Sequence, residues 1–477
     1  RSTLSSSSAA SDVYKRQLED KVAEGRKKFL TRVGKKIFRD TIPGEQHVRV
    51  TALGGYREVG RSCHLLMTKD SKVLVDCGFN PGNEKEPSPF LSAPEVTPLE
   101  GIDAVVLTHA HLDHSALLPM LFVYGFDGPI YCTPPTRELS SLLQNDFIKI
   151  QNSEGKKVPY NTEQIRQAIR NTIPLNYGDT TDVSPDLKLT FHNSGHILGS
   201  AAAHFHVGDG QYNLVFSGDI KFENTWLFDR AVNHFPRLEG LIMESTYGGY
   251  NDFQPAREEG SRTLYEIINR TVEKKGKILI PVFAVGRSQE VMLVLEKLHS
   301  EGKLKDMPVY LDGMIWEATA LHSAYPEYLN NNLRNKVYQN QDNPFRSEIF
   351  NKVDKMHKGK DENAMSVADV DRLKKQGMKK ESLGKEDKPV IKKVVDKLKG
   401  ASQAHAGQAK DLEKAIKTEK RIRPKRIGEE LEETHMSTAK KQNAQQRSVG
   451  GEKEIILSLI HISEPTRPRL ISYAVFC

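Results

Sequence analysis

The chain has 477 residues, 38% of them hydrophobic, which is enough to bury cores for two or three domains and too much for a chain that stays unfolded throughout. Its formal net charge of +7 suits a polyanionic partner without requiring one. Cys63, Cys77, Cys132 and Cys477 stand apart without a CxxC pair, so neither a thiolate zinc knuckle nor a disulfide framework is indicated, and a reducing, cytoplasmic setting is expected.

No apolar run has the length of a membrane span, so a soluble protein with no membrane partner is expected. The opening RSTLSSSSAASDVYKRQ (1–17) and the closing LSLIHISEPTRPRLISYAVFC (457–477) read as translated adapter or vector sequence and are set aside from the fold. Residues 18–45 form a basic stretch that runs into Pro43-Gly44, the pattern of a linker helix closed by a turn, and its Arg26, Lys27 and Lys28 are candidates to meet RNA. Over 46–246 the texture alternates. HVRVTALGG, SKVLVDCG and DAVVLTHAH are β-branched runs stopped by glycine or polar clusters, TRELSSLLQNDFIKI is helical, and LKLTFHNSG, YNLVFSGD and GLIMESTYG resume as strands. Strands apolar on both faces imply sheets covered on both sides, hence an α/β fold. A further α/β stretch with the helical SQEVMLVLEKLHSEG fills 247–350. From 351 to 470 there is no Phe, Tyr or Trp while charge is dense, so 351–456 is expected to be a charged, helical or poorly ordered tail.

The chemistry concentrates in His109-Ala-His111-Leu-Asp113-His114, where the strand DAVVLT runs out. A strand end delivers side chains rigidly, and this spacing crowds three imidazoles and a carboxylate into one volume, an arrangement that favours a borderline metal such as zinc. His196 in SGHILGS and Asp219 in FSGDI also follow apolar strands at Gly-flanked turns, so they can reach the same edge. His109, His111 and His196 would then hold one zinc, Asp113 and His114 a second, and Asp219 would bridge them. Asp76 in VLVDCG ends another strand and would fix ligand imidazoles by hydrogen bonds.

The order Asp76, HAHLDH, His196, Asp219 resembles the metallo-β-lactamase superfamily. Glu244 in IMESTYGG and the later PVFAVGRSQE resemble its β-CASP nucleic-acid branch, and across His47 to Phe350 the chain is similar to archaeal homologues of the cleavage and polyadenylation specificity factor endonuclease. The resemblance implies a four-layer αββα sandwich with a partial β-CASP insertion domain and two Zn2+ as cofactors. It implies hydrolysis of single-stranded RNA by a hydroxide held between the metals, in RNA 3′-end processing or transcription termination, as an endonuclease and also as a 5′-to-3′ exonuclease. Asp113 would orient the hydroxide as well as bind metal, and Glu244 would hold an acid histidine that the family supplies later in its sequence. Neither that histidine nor a last histidine ligand is found: His357, His405, His435 and His461 lack an apolar, Gly-flanked strand end. Transcription or RNA-processing machinery is the implied partner, as is a homodimer formed through a C-terminal region not found in the chain.

Several other residues compete for a role. Arg287 and Ser288, after Gly286 at a strand-to-helix turn, could meet phosphate, or could equally be a helix cap beside a solvated arginine. His204-Phe205-His206 also spells HxH but has no accompanying carboxylate, and with His64 and His192 it is read as structural. Trp316 is read as core before base-stacking platform. Two other functions stay open: a small-molecule hydrolase of thioester or lactam type on the same scaffold, and a catalytically deficient RNA-binding remnant.

Overall fold

A computed structural model describes residues 23–83, 85–249, 256–274, 278–304, 308–339 and 343–352, with the backbone of two strands at Leu457–Ile462 and Tyr473–Phe476. Helix α1 (23–37) opens the described chain as the basic stretch predicts. Much of its charge serves to dock it. Arg32 and Lys36 both reach Asp127, at 3.4 and 3.3 Å, and Arg39 just beyond meets both carboxylate oxygens of Asp103, at 2.6 and 3.0 Å.

The first sheet runs β1 (Val48–Gly54), β2 (Cys63–Thr68), β3 (Lys72–Val75), β4 (Ala104–Val106), β5 (Ile130–Cys132) and β6 (Thr172–Pro174) in spatial as in chain order. Its first three strands are antiparallel and the remainder parallel. Between β4 and β6 the chain makes α2 (Leu112–Ser115), α3 (Leu118–Val123), α4 (Pro134–Ser153) and α5 (Thr162–Asn171). The hydroxyl of Thr133 caps α4 by accepting from the Thr136 amide, with Pro134 supplying a preset first turn. The second sheet takes β7 (Thr180–Ser184), β8 (Leu187–Asn193), β9 (Ala201–Val207), β10 (Tyr212–Phe216) and β11 (Gly240–Glu244), neighbours again in chain order.

Side-chain alternation sorts two cores. Leu65, Leu74 and Val105 of the first sheet face Leu118, Leu139 and Ile165 of the helices, while Leu66, Val73, Val75 and Val106 turn the other way onto Leu189, Phe191, Phe205 and Phe216 of the second sheet. Each such fully buried side chain contributes about 1.5–3 kcal/mol. This two-sided burial is why the strands read as apolar runs without polar alternation.

The second α/β body follows with α6 (Arg257–Glu273), β12 (Ile278–Phe283), α7 (Arg287–Ser300), β13 (Val309–Leu311), α8 (Ile315–Ala324), α9 (Asn331–Gln339) and β14 (Phe350–Lys352). It sits on the first through polar anchors: the Asn330 amide N–H donates to Leu227 O at 2.8 Å and Tyr328 OH donates to Asn176 Oδ1 at 3.1 Å. The segment set aside over 457–477 supplies the backbone of two strands. β15 (Leu457–Ile462) pairs in parallel with β12 and β13, and β16 (Tyr473–Phe476) pairs antiparallel with β11. LSLIHI is rich in branched apolar residues, a local strand signal that whole-segment composition does not register. The charged tail expected over 351–456 lies, beyond Lys352, outside the described residues.

Candidate metal centre

Four strand ends point their loops to one spot. β3 is followed by Asp76, β4 by Thr108, His109 and His111, β8 by the loop carrying His196, and β10 by Asp219. Because β3 and β4 are parallel neighbours, their ends emerge side by side, and the face-to-face stacking of the sheets brings the other two against them.

Asp76 is the anchor of the set. It has a left-handed backbone, φ 62°, unusual for a residue with a side chain, and its amide donates to Val106 O at 2.9 Å. The carboxylate accepts the Thr108 amide at 2.8 Å and the Thr108 hydroxyl at 2.9 Å, and lies 2.7 Å from His114 Nδ1. That contact turns His114 Nε2 towards Asp219 Oδ1, 3.2 Å away. Thr108 also reaches His109 Nδ1 at 3.1 Å, so one hydroxyl ties the Asp76 anchor to a second imidazole. Asp113 and His114 ride on α2, and the loop's approach requires glycine at 78: a Cβ there would fall 1.6 Å from Asp113 O.

Two groups of ligand atoms result, each gathered within 4.8 Å: His109, His111, His196 and Asp219, and His109, Asp113 and His114. His196 Nε2 stands 3.0 Å from His111 Nδ1 and 3.3 Å from Asp219 Oδ2. The buried His109 Nε2 has no hydrogen-bond partner, its nearest carboxylate contact being Asp219 Oδ2 at 3.9 Å. Imidazole nitrogens and carboxylate oxygens aimed at one another in a water-poor pocket are a donor set that a divalent cation satisfies, so the residues fit a metal.

The groups of the cluster also set one another's charge. Burial and the neighbouring His114 charge hold His109 well below the ordinary histidine range, which keeps it neutral as a ligand must be. Burial acts to lower His114 too, but the carboxylates of Asp76 and Asp219 outweigh it and hold the group well above its usual value. Burial alone would raise Asp219. His114, then His196 and His109, instead draw its carboxyl well below the usual range. Glu244, at the end of β11, accepts from the amides of Thr246 at 2.8 Å and Ile220 at 3.4 Å, and burial plus the Asp219 charge raise it.

The other expected sites fall differently. His206 bonds Thr190 Oγ1 at 2.9 Å and Asn213 Oδ1 at 2.8 Å, His204 lies 3.3 Å from His192, and Phe205 between them is fully buried on the opposite face. His64 sits between the rings of Tyr56 and Phe216, with centroids at 5.4 and 5.3 Å. Ser288 is fully buried and its hydroxyl donates to Ala284 O at 2.8 Å, so its side chain serves the turn, whereas Arg287 projects outward and pairs with Glu290 at 2.5 Å. Arg26 donates to Thr172 O at 3.1 Å and Lys28 pairs with Glu24 at 2.7 Å. Trp316 is 37% exposed and not a core residue, because it lies on α8 beside the buried Ile315 and Ala318. His357, His405 and His435 lie outside the described residues, as does the side chain of His461. Thr108 is the residue that sequence reading missed; a hydroxyl directly before the first histidine at a strand end was the available signal.

This fold and this cluster are those of a metallo-β-lactamase domain, which a β-CASP domain follows. The family models match accordingly, the metallo-beta-lactamase superfamily over residues 56–268 and the Beta-Casp domain over 288–458. Archaeal proteins named transcription termination factor FttA are similar in sequence. The one from Methanosarcina mazei is 56% identical over 329 residues, 69% of this chain and 52% of the relative. That from Methanocaldococcus jannaschii is 54% identical over 328 residues, 69% and 51% respectively, and that from Lokiarchaeum 48% over 333 residues, 70% and 52%. The chain thus spans about half the length of the curated relatives it matches. Among the described residues no helix is long and apolar enough to cross a membrane.

Proposed function

We propose that the chain is a zinc-dependent phosphodiesterase acting on single-stranded RNA, with His109, His111 and His196 on one ion, Asp113 and His114 on the other, and Asp219 between them. The observation that carries this reading is the gathering of those side chains from three separate loops into groups of ligand atoms within 4.8 Å. A bound pair of such cations lowers the pKa of water and neutralises a phosphoryl oxygen. The chain's own residues supply orientation. Asp76 sets the tautomer and direction of His114 and, through Thr108, of His109. Glu244, whose pKa burial and the Asp219 charge raise, is held by two amides on the Asp219 side of the pocket, where by resemblance it would position an acid histidine. A β-CASP domain against the His196 loop supports a polymeric nucleic-acid substrate over a small thioester or lactam. The name borne by the archaeal relatives supports a role in transcription termination, with that machinery as partner, and RNA 3′-end processing is the related setting that the same chemistry would serve.

The test combines metal analysis with a labelled single-stranded RNA. Two zinc ions per chain and cleavage abolished by His111→Ala support the reading. Zinc with RNA binding but no cleavage by the unsubstituted chain would favour a binding remnant, and hydrolysis of a thioester or lactam with RNA ignored would sink the ribonuclease assignment.

A further inference from the structure

Two aromatic rings are left out of the core at the mouth of the metal pocket. β10 and β11 are parallel neighbours, with Phe216 level with Ile242, so the loops that follow them leave the sheet side by side. One carboxylate then ties those loops together. Glu244 accepts the Ile220 amide on Oε1 at 3.4 Å and the Thr246 amide on Oε2 at 2.8 Å, and its own amide donates to Ser217 Oγ at 3.2 Å. Phe222 comes two residues after Ile220 and three after Asp219, while Tyr247 directly follows Thr246.

Both positions are fixed in the backbone and open at the ring. The Lys221 amide donates to Ser194 O and its carbonyl accepts from Ala231 N, each at 2.8 Å, which pins the residue before Phe222 to the loop that carries His196. The Gly248 amide donates to Ser245 O at 3.0 Å, a tight turn with Tyr247 inside it. Phe222 is nonetheless 50% exposed and Tyr247 47%. Among the described residues neither side chain has a ring, cation or hydrogen-bond partner. The rest of the Phe222 loop shows that the fold covers what it can: Leu227 and Phe228 are buried, and the Lys297 ammonium lies 5.0 Å from the Trp226 ring centre. On the His196 side the mouth is bounded by the first turn of α7, where a Cβ added at Gly286, φ 86°, would lie 3.0 Å from Ile197.

Exposed rings beside a pocket that takes phosphate suit a substrate that presents flat π-faces of its own. A single nucleic-acid strand does so at every base, whereas a duplex hides those faces in its stack. We propose that Phe222 and Tyr247 form a stacking site for unpaired bases of the RNA next to the phosphate at the metals, with Glu244 setting the spacing of the two loops. This rests on the ribonuclease reading above and adds to it the residues that hold the bases.

The test uses the zinc-loaded full chain, a fluorescein-labelled oligoadenylate checked for integrity on a gel, and the same ribose–phosphate chain without its bases. The unsubstituted protein should bind the base-free chain about a hundredfold more weakly, since each stacked base contributes about tenfold. Phe222→Leu with Tyr247→Leu, which keeps apolar bulk without a π-face, should weaken oligoadenylate binding by about that factor and leave the base-free chain bound as before. It should also keep its zinc and the slope of log affinity against log salt, because no phosphate contact is lost. Phe222→Tyr with Tyr247→Phe should keep the affinity. The stacking site is overturned if the leucine variant holds oligoadenylate as tightly as the unsubstituted protein does, or weakens both chains alike while keeping zinc. Equal binding of the two chains by the unsubstituted protein would overturn it as well, and would leave the rings to a protein partner. If the unsubstituted protein binds neither chain, the ribonuclease reading itself fails and takes the stacking site with it.

Discussion

Two sets of histidines lie close together in the first body, and they do opposite things. His109, His111, His114 and His196 come from loops past strand ends, with Asp76, Asp113 and Asp219 among them, and their ring nitrogens aim at one another. His192, His204 and His206 stand on the pleated faces of β8 and β9 themselves, and their nearest polar partners are Thr190, Asn213 and one another. A strand fixes successive same-face side chains in parallel, so they stack in a row, whereas loops from several strands can converge on a point. Carboxylates then decide the matter by compensating the charge a cation brings. Clustering alone does not make a metal site.

The sharpest way to break this contrast is to delete one member from each set. His196→Ala should lose bound zinc and, on the proposed function, reduce RNA cleavage by at least about a hundredfold, while His206→Ala should keep both, as read by metal analysis and a cleavage assay. Equal zinc loss in the two variants would end the distinction. Asp76→Asn keeps an acceptor but removes the charge behind His114 and Thr108; metal affinity should fall by about 10–100-fold in a competition titration with a chelator.

A smaller effect separates the sets by acid. Burial, then the charges of His206 and His192, bring His204 down to about 4, and burial likewise brings His322 of α8 to about 4. These groups are neutral in the fold and take up a proton more readily when unfolded. The unfolded chain therefore binds more protons across the window, and stability is fully present above about pH 6.5 and lost as pH falls through about 4. Replacing fully buried His322 with Leu should remove on the order of 1–3 kcal/mol of that pH-dependent fall in urea denaturation. An unchanged profile would show that His322 is not held neutral. Least of all, His206→Asn should cost about 1 kcal/mol by breaking its bonds to Thr190 and Asn213, with no change in zinc.

Much of this was readable in the sequence, for a physical reason. The candidate ligands announce themselves because each stands where an apolar strand runs out, so a local pattern reports a distant meeting point. The discrimination against His204 and His206 was readable too, from the period of a strand. What was not readable depends on contacts far apart in the chain. Nothing near Arg257 or Glu290 indicates that they meet each other or that Arg287 shares the same carboxylate. Ser288 looked available for phosphate because helix starts often are, yet the turn consumes its hydroxyl. Arg26, Lys27 and Lys28 looked like a surface for RNA, yet Arg26, with Arg32 and Lys36 further along, serves in part to hold α1 to carbonyls and to Asp127. Trp316 looked like core because tryptophan usually is.

The contact of Gly286 with Ile197 also has a mechanical meaning. With no side chain at 286 the first turn of α7 rests on the residue beside a histidine ligand, and even a methyl group would press there at 3.0 Å. A displacement of α7 against the first body would therefore press first on the loop that carries His196.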